Sequence, residues 1–251
     1  MKITKFIKDK NNKYKVIIDG DEYLLYDDVI LKYSLGLRSE IEDSLLNEII
    51  EYNDFLTYYY LSLKYISTRM RCRKEIVTYL EKKDIDKGII NHIIDKLYKD
   101  NYLNDYIYIK SYINDSLNLS DKGPLRIKSE LLKLELSESM IDEVLDSIIS
   151  TININKRLDE IISKRIRLNR DKGINYLKRK ILLDLSNLGY NKETILDRIN
   201  LINIDDSDIY KKEKEKAYNK YKNKYSGYEL ECKVKAYLYR KGFNSGGCYE
   251  D

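Results

Sequence analysis

The chain has one proline in 251 residues, one histidine, three cysteines and no tryptophan. Each scarcity excludes something. Cys72, Cys232 and Cys248 are scattered and odd in number, which leaves neither a disulfide framework nor a zinc cluster and reads as free thiols. His92 stands beside Asn91 on the polar side of a helical pattern whose apolar side is Ile89, Ile93 and Ile94, so it is expected to face solvent rather than act as catalyst or ligand. No apolar run approaches the roughly 18 residues of a membrane span. The opening "MKITKFIKDK" lacks the continuous apolar segment of a signal peptide, and a soluble cytoplasmic protein with no membrane contact is expected. P-loop, G-x-G-x-x-G, G-x-S-x-G and H-E-x-x-H patterns are missing. The acidic groups Asp27-Asp28 and Asp205-Asp206-Asp208 fall where helices begin, where helix dipoles account for them without a metal. These absences point away from an enzyme.

Charge is plentiful but unevenly placed. Lys and Arg number 46 against 42 Asp and Glu, a net +4. Residues 156–241 carry 23 basic and 13 acidic side chains, whereas residues 1–155 carry 23 and 27. A basic C-terminal half concentrates like charge at a cost in self-repulsion and suits a polyanionic partner, nucleic acid or an acidic protein surface. Solvated helix faces are the competing explanation.

The single proline, in "GPLRIKSELL", is placed where a helix tolerates it: at the first helical position its missing N–H is an orphan and its fixed φ is already helical. Pro124 therefore predicts a helix start, with Ile127, Leu131 and Leu132 on one face and Arg126, Lys128 and Glu130 largely on another. The first 26 residues differ. "ITKFIKDK" and "YKVIIDGDEYLLY" are β-branched and aromatic, with Asn11-Asn12 and Asp19-Gly20 as turn signals, and predict a small β-hairpin or three-stranded meander. Helical periodicity begins at Asp27, and Ser39 is the expected N-cap of "SEIEDSLLNEII".

Self-comparison reveals a repeat. Aligning "IVTYLEKKDI", "IKSELLKLEL", "ILLDLSNLGY" and "VKAYLYRKGF" superposes Ile76, Ile127, Ile181 and Val234, then Leu80, Leu131, Leu185 and Leu238, then Ile85, Leu136, Tyr190 and Phe243. Gly189 and Gly242 precede the last apolar position, as a left-handed residue closing a helix requires; Asp84 and Glu135 take that place in the other copies. A helix precedes each match and another follows, so the unit is three helices in about 50 residues, too small to bury a sufficient core alone. The expected fold is mainly all-α, tandem three-helix repeats in an elongated curved array behind the small N-terminal β element. The expected division is 1–51 as N-terminal extension, repeats at 52–103, 104–152 and 153–204, and a partial repeat or cap at 205–251. Gly246-Gly247 in the final "NSGGCYED" argue against a long helix there. In "KKEKEKAYNKYKNKY" a solvent-exposed helix is expected, with Tyr210, Tyr218, Tyr221 and Tyr225 as core packing.

Basic side chains recur at corresponding points of the repeats. Arg69, Arg71, Arg73 and Lys74 join the first two helices of the first; Arg126 and Lys128 lie on the second helix of the next; Arg165, Arg167, Arg170, Lys178, Arg179 and Lys180 follow in the third. Stacked repeats align corresponding positions, so these twelve are the candidate contacts for phosphate or an acidic groove.

With repeat and basic junctions in view, the chain resembles the RecX family of recombinase regulators. The resemblance rests on "YLND" followed by "YIYIKSYI", on "GPLRIKSELL" with "SMIDEVL", and on the preceding "RMRCRKEIVTYL", spanning residues 52–150, with the N-terminal strand segment like the extension of members from Gram-positive bacteria. Cys72 departs from the usual serine, and aromatic residues replace "FA" after Asn104-Asp105. The resemblance implies a non-enzymatic, cofactor-free protein, expected to be a monomer, that lodges in the groove of a RecA filament on DNA and modulates recombination and the SOS response. Contact with DNA alone, single- or double-stranded, is expected to be weaker. The alternatives are a helical-repeat nucleic-acid-binding protein acting without the recombinase and a purely structural adaptor.

Overall fold

In the computed structural model, which describes residues 1–10 and 12–243, two compact units are separated after Tyr108. The first begins with an antiparallel meander, β1 (Ile3–Lys8), β2 (Lys13–Ile18) and β3 (Asp21–Tyr26), in the order β1-β2-β3. Alternation sends Val16 and Ile18 of β2 into the core. Asp19 (φ 48°) and Gly20 (φ 96°) supply the two positive φ angles of the tight turn that their sequence signalled, and Ile18 pairs with Asp21. Asn11, half of the other expected turn, lies outside the described residues.

Helices follow: α1 (Asp27–Lys32), α2 (Asp43–Thr68), α3 (Arg73–Glu81), α4 (Lys87–Lys99) and α5 (Asp105–Leu119), which crosses the division between the units. Ser39 is not a helix cap. Its carbonyl accepts from Ile3 N at 2.9 Å, Ile41 N donates to Met1 O at 2.8 Å, and α2 starts only at Asp43. Those residues extend the sheet edge because backbone pairing satisfies more groups than a side-chain cap would. α2 then runs unbroken through residues 51 and 52. Asn53 clamps the sheet to it, accepting from Tyr26 N at 3.0 Å and donating to Leu24 O at 3.2 Å. Val16, Leu35, Ile49, Ile76, Leu80 and Ile93 form one core with the sheet.

The second unit continues with α6 (Pro124–Leu132), α7 (Glu138–Ile149), α8 (Ile154–Leu168), α9 (Ile174–Asn187), α10 (Lys192–Asn200), α11 (Ser207–Tyr221) and α12 (Gly227–Arg240). Pro124 is the first residue of α6, as its chemistry demands. The expected helix endings are all present: Asp84, Glu135, Gly189 and Gly242 have φ of 58°, 61°, 87° and 87°. Tyr190 N donates to Leu185 O and Phe243 N to Leu238 O, both at 3.1 Å, which satisfies carbonyls left over at the helix end. The following apolar residue turns inward each time; Ile85, Leu136, Tyr190 and Phe243 are all buried.

These endings also join the second helices of neighbouring three-helix sets in the second unit. Gly123 N donates to Leu188 O at 2.6 Å and Leu125 N to Gly189 O at 3.0 Å, while Gly173 N donates to Lys241 O at 2.9 Å. A Cβ on Gly123 would lie 2.6 Å from the Gly189 carbonyl carbon, and one on Gly189 would run into the backbone of Arg126. The start of α6 thus docks backbone to backbone on the end of α9, and the start of α9 docks likewise on the end of α12. Among the described residues no helix is long and apolar enough to cross a membrane.

Gly189→Ala combines a positive φ with backbone overlap and is expected to destabilise the second unit by about 2 kcal/mol or more. Gly36→Ala, with nothing within 4 Å of its Cβ, is the neutral control in thermal melts. Pro124→Ala restores no hydrogen bond and is expected to change stability by no more than about 1 kcal/mol.

Candidate functional site

The basic junctions are built around carboxylates that spacing alone did not single out. At the start of α3, Glu75 accepts from Cys72 N at 3.2 Å, Arg71 Nη1 at 3.3 Å and Tyr108 Oη at 3.2 Å, and pairs with Arg69 at 2.5 Å. Burial pushes its pKa up, but the Cys72 amide, Arg69 and Arg71 outweigh it and hold the carboxyl below its ordinary value. Arg71 is sunk into this cluster with 11% of its side chain exposed, its guanidinium 3.9 Å from the Tyr65 ring centre. Its Nε is buried with no hydrogen-bond partner. Arg71 is therefore a packing residue. Arg69 and Arg73 are exposed, and Lys74 is half-buried.

A second cluster forms on α6. Glu130 accepts from Lys122 Nζ at 2.6 Å, Tyr112 Oη at 2.7 Å and Arg126 Nε at 3.2 Å; Arg126 also reaches Asn187 O at 3.4 Å. Burial opposes ionisation of Glu130, yet Lys122, Tyr112 and Arg126 lower its pKa to about 2. Lys128 faces α7, with Glu138 at 2.8 Å and Asp142 at 2.7 Å. Both cations expected on a free polar face thus tie this helix to its surroundings.

A third cluster lies between α11 and α12. Glu213, 2% exposed in a run expected to face solvent, accepts from Lys241 at 2.6 Å, Lys216 at 2.7 Å and Tyr237 at 3.1 Å. Here too burial raises and these three donors lower the pKa, to about 2. Asp171, 3.1 Å from Lys241, is likewise held at about 2, by Lys172 first. Of the tyrosine row, Tyr210, Tyr221 and Tyr225 pack against this core but Tyr218 is exposed.

The α8–α9 region differs. Arg165 is half-buried near Asp121, at 3.7 Å, with its Nε unpartnered. Arg157, unassigned by the sequence, bonds Leu117 O, Ser120 O and Tyr190 Oη and so satisfies carbonyls at the end of α5. Arg167 and Arg170, by contrast, are exposed and make no ion pair with any described residue. Arg179 is exposed beside half-buried Lys178 and Lys180, and with Tyr176 and Leu183 it lines a shallow groove of about 490 Å³. Lys172 and Lys180 each lie 5.8 Å from the Tyr176 ring centre. His92 is exposed as expected, Cys72 and Cys232 are free thiols, and Cys248 lies outside the described residues. Among the described residues no group of His, Cys, Asp and Glu is arranged to hold a metal.

Three-helix groups following a small N-terminal antiparallel sheet define a helical-repeat protein. The model of "RecX, first three-helix domain" matches residues 59–97, and that of "RecX, third three-helix domain" matches 208–249. Regulatory protein RecX of Streptococcus thermophilus (strain CNRZ 1066) is 33% identical over 97% of this chain and 95% of the relative; that of Streptococcus sanguinis (strain SK36) is 31% identical over the same shares. The crystal structure of a regulatory protein RecX superposes with TM-score 0.67 at 23% identity, covering 77% of this chain and 96% of the other. That of RecX from Lactobacillus salivarius gives 0.52 at 28%, covering 59% and 98%. The chain belongs to the RecX family.

Glu130 and Glu213 have folded-state pKa values below the ordinary 4.5, so the stability they contribute is complete above about pH 4.5 and is lost as pH falls toward 2, on the order of 2 kcal/mol each. In acid unfolding followed by circular dichroism, Glu130→Gln with Glu213→Gln is expected to be less stable at pH 7 and to respond more weakly between pH 4.5 and 2.

Proposed function

We propose that the chain is a non-enzymatic regulator that binds the RecA nucleoprotein filament and lowers its recombination, ATPase and SOS coprotease activities. The observation that carries this reading is which arginines remain unclaimed. Carboxylates hold Arg69, Arg71, Arg126 and Lys128, whereas Arg167 on α8, Arg170 in the turn after it and Arg179 on α9 stay exposed in the basic half, as does Arg73 at the start of α3. Exposed guanidinium groups suit planar pairing with carboxylate or phosphate, and a filament on DNA offers both. Lys74 stands beside Arg73 in the first unit, and Lys178 and Lys180 stand beside Arg179 in the second, as further candidate contacts.

On this reading the chain works in the cytoplasm as a monomer without a cofactor. It is organised as an N-terminal extension that shares α2 (Asp43–Thr68) with a first repeat ending near 103, repeats 104–152 and 153–204, and the C-terminal part 205–251. Contact with DNA is secondary to contact with the recombinase.

Anisotropy of labelled single-stranded DNA, bare or coated with RecA, measured over a salt series, tests the reading. The chain is expected to bind the coated strand more tightly than the bare one and to keep a salt-resistant component. Arg167→Glu with Arg170→Glu and Arg179→Glu is expected to weaken filament binding at least about tenfold and leave helix content unchanged. Equal binding to bare and coated DNA would favour a nucleic-acid-binding protein that acts without the recombinase. Binding to neither would leave a structural adaptor.

A further inference from the structure

The joint between α6 and α9 sets two open helix faces end to end. Leu125 N donates to Gly189 O at 3.0 Å and Arg126 Nη1 to Asn187 O at 3.4 Å, so the first turn of α6 begins where the last turn of α9 stops. Ile127 and Leu131 of α6 and Ile181 and Leu185 of α9 are buried, and the face opposite them is open to solvent on both helices. On α6 that face carries Leu125, Ser129 and Leu132, at i, i+4 and i+7, with Leu125 58% and Leu132 38% exposed. The same register on α9 gives Arg179, Leu183 and Ser186, with Tyr176 one turn earlier, and Leu183 is 62% exposed. Nothing in the repeat requires this. The corresponding positions of α3 are Lys74, Thr78 and Glu81, and the exposed side of α7 carries Glu138, Glu143 and Asp146.

Leucines kept in water on two adjoining faces mark a contact surface. Leucine, tyrosine and arginine with few other charges make up the centre of a protein interface, where Tyr and Arg act as anchors. The charge then selects the partner. Among the six outer positions Arg179 is the one charged residue, and it makes no ion pair with a described residue. Lys178 and Lys180 flank it in sequence, against a single carboxylate, Asp184, in the shallow groove that Tyr176, Arg179 and Leu183 line. A phosphate backbone would engage these cations and leave the leucines in water. A protein surface with apolar side chains beside carboxylates engages both.

We infer that the outer faces of α6 and α9 together bind the protein part of the filament, at a patch of apolar side chains bordered by carboxylates, and supply the salt-resistant share of its binding. The inference rests on the reading under Proposed function and deepens it, since apolar contact is not screened by salt as the arginine contacts are.

Binding of the full chain to single-stranded DNA, bare or coated with RecA, is followed by anisotropy over a salt series. Leu125→Gln with Leu183→Gln is expected to weaken binding to the coated strand at least about tenfold at every salt concentration, with the slope of affinity against salt unchanged. Bare-DNA binding and melting stay as in the parent, because both leucines already lie in water. Leu183→Glu is expected to weaken coated-strand binding more than Leu183→Lys, since an acidic partner tolerates the lysine. Coated-strand binding that the glutamine pair leaves unchanged would overturn the inference while the function reading stands. So would an equal loss on bare DNA, which would make this face a DNA contact, and so would a lysine at position 183 that weakens binding as much as a glutamate. A wild-type chain that binds the coated strand no better than the bare one would refute the function reading, and this inference with it.

Discussion

The structure depends on how the second helix of each set ends. One residue in the left-handed region stops the helix, turns the next apolar residue into the core and exposes a short stretch of backbone. In the second unit that stretch receives the amide groups at the start of an earlier helix, Gly123 on Leu188 and Gly173 on Lys241. Two backbones approach this closely only where no Cβ intervenes, which makes these glycines a joint rather than a surplus of flexibility. Side-chain packing then follows from the joint: Ile127, Ile181 and Val234 are carried into equivalent buried positions by the helices it anchors.

Charge in this protein is mostly internal bookkeeping. Glu75, Glu130 and Glu213 each collect two cations and a tyrosine hydroxyl, an arrangement that recurs from repeat to repeat without recurring at one aligned position. A buried or half-buried carboxylate with three or more donors is strongly held, and removing any donor leaves desolvated charge behind. Net positive charge is therefore a poor guide to where a partner binds. Of the twelve candidate positions, Arg73, Arg167, Arg170 and Arg179 are exposed and make no ion pair with a described residue, three of the four in the basic half.

Much of the fold was legible in the sequence because it depends on backbone chemistry. Pro124 fits only a first helical turn, Asp19-Gly20 fits a tight turn, and the aligned apolar triplets mark helix C-termini. The triplets do not fix N-termini: α3 and α6 have nine residues while α9 and α12 have 14. Ser39 misled because a cap signal is local, whereas the strand pairing with Met1 and Ile3 spans almost 40 residues. The site was less legible for the same reason. Nothing in "KKEKEK" separates Glu213 from Glu215, and only the fold brings Lys241 and Tyr237 to the former. Arg71, Lys128 and Arg165 likewise have the composition of a binding face but the surroundings of packing residues.

The central proposal for this member of the RecX family is that it restrains a recombinase by occupying its filament. Steady-state ATP hydrolysis by RecA on single-stranded DNA, at fixed salt and with increasing amounts of this protein, tests it most directly. The account predicts a rate that falls in a saturating manner as the protein is added. A rate that stays constant at concentrations where the protein is bound to the filament would contradict it.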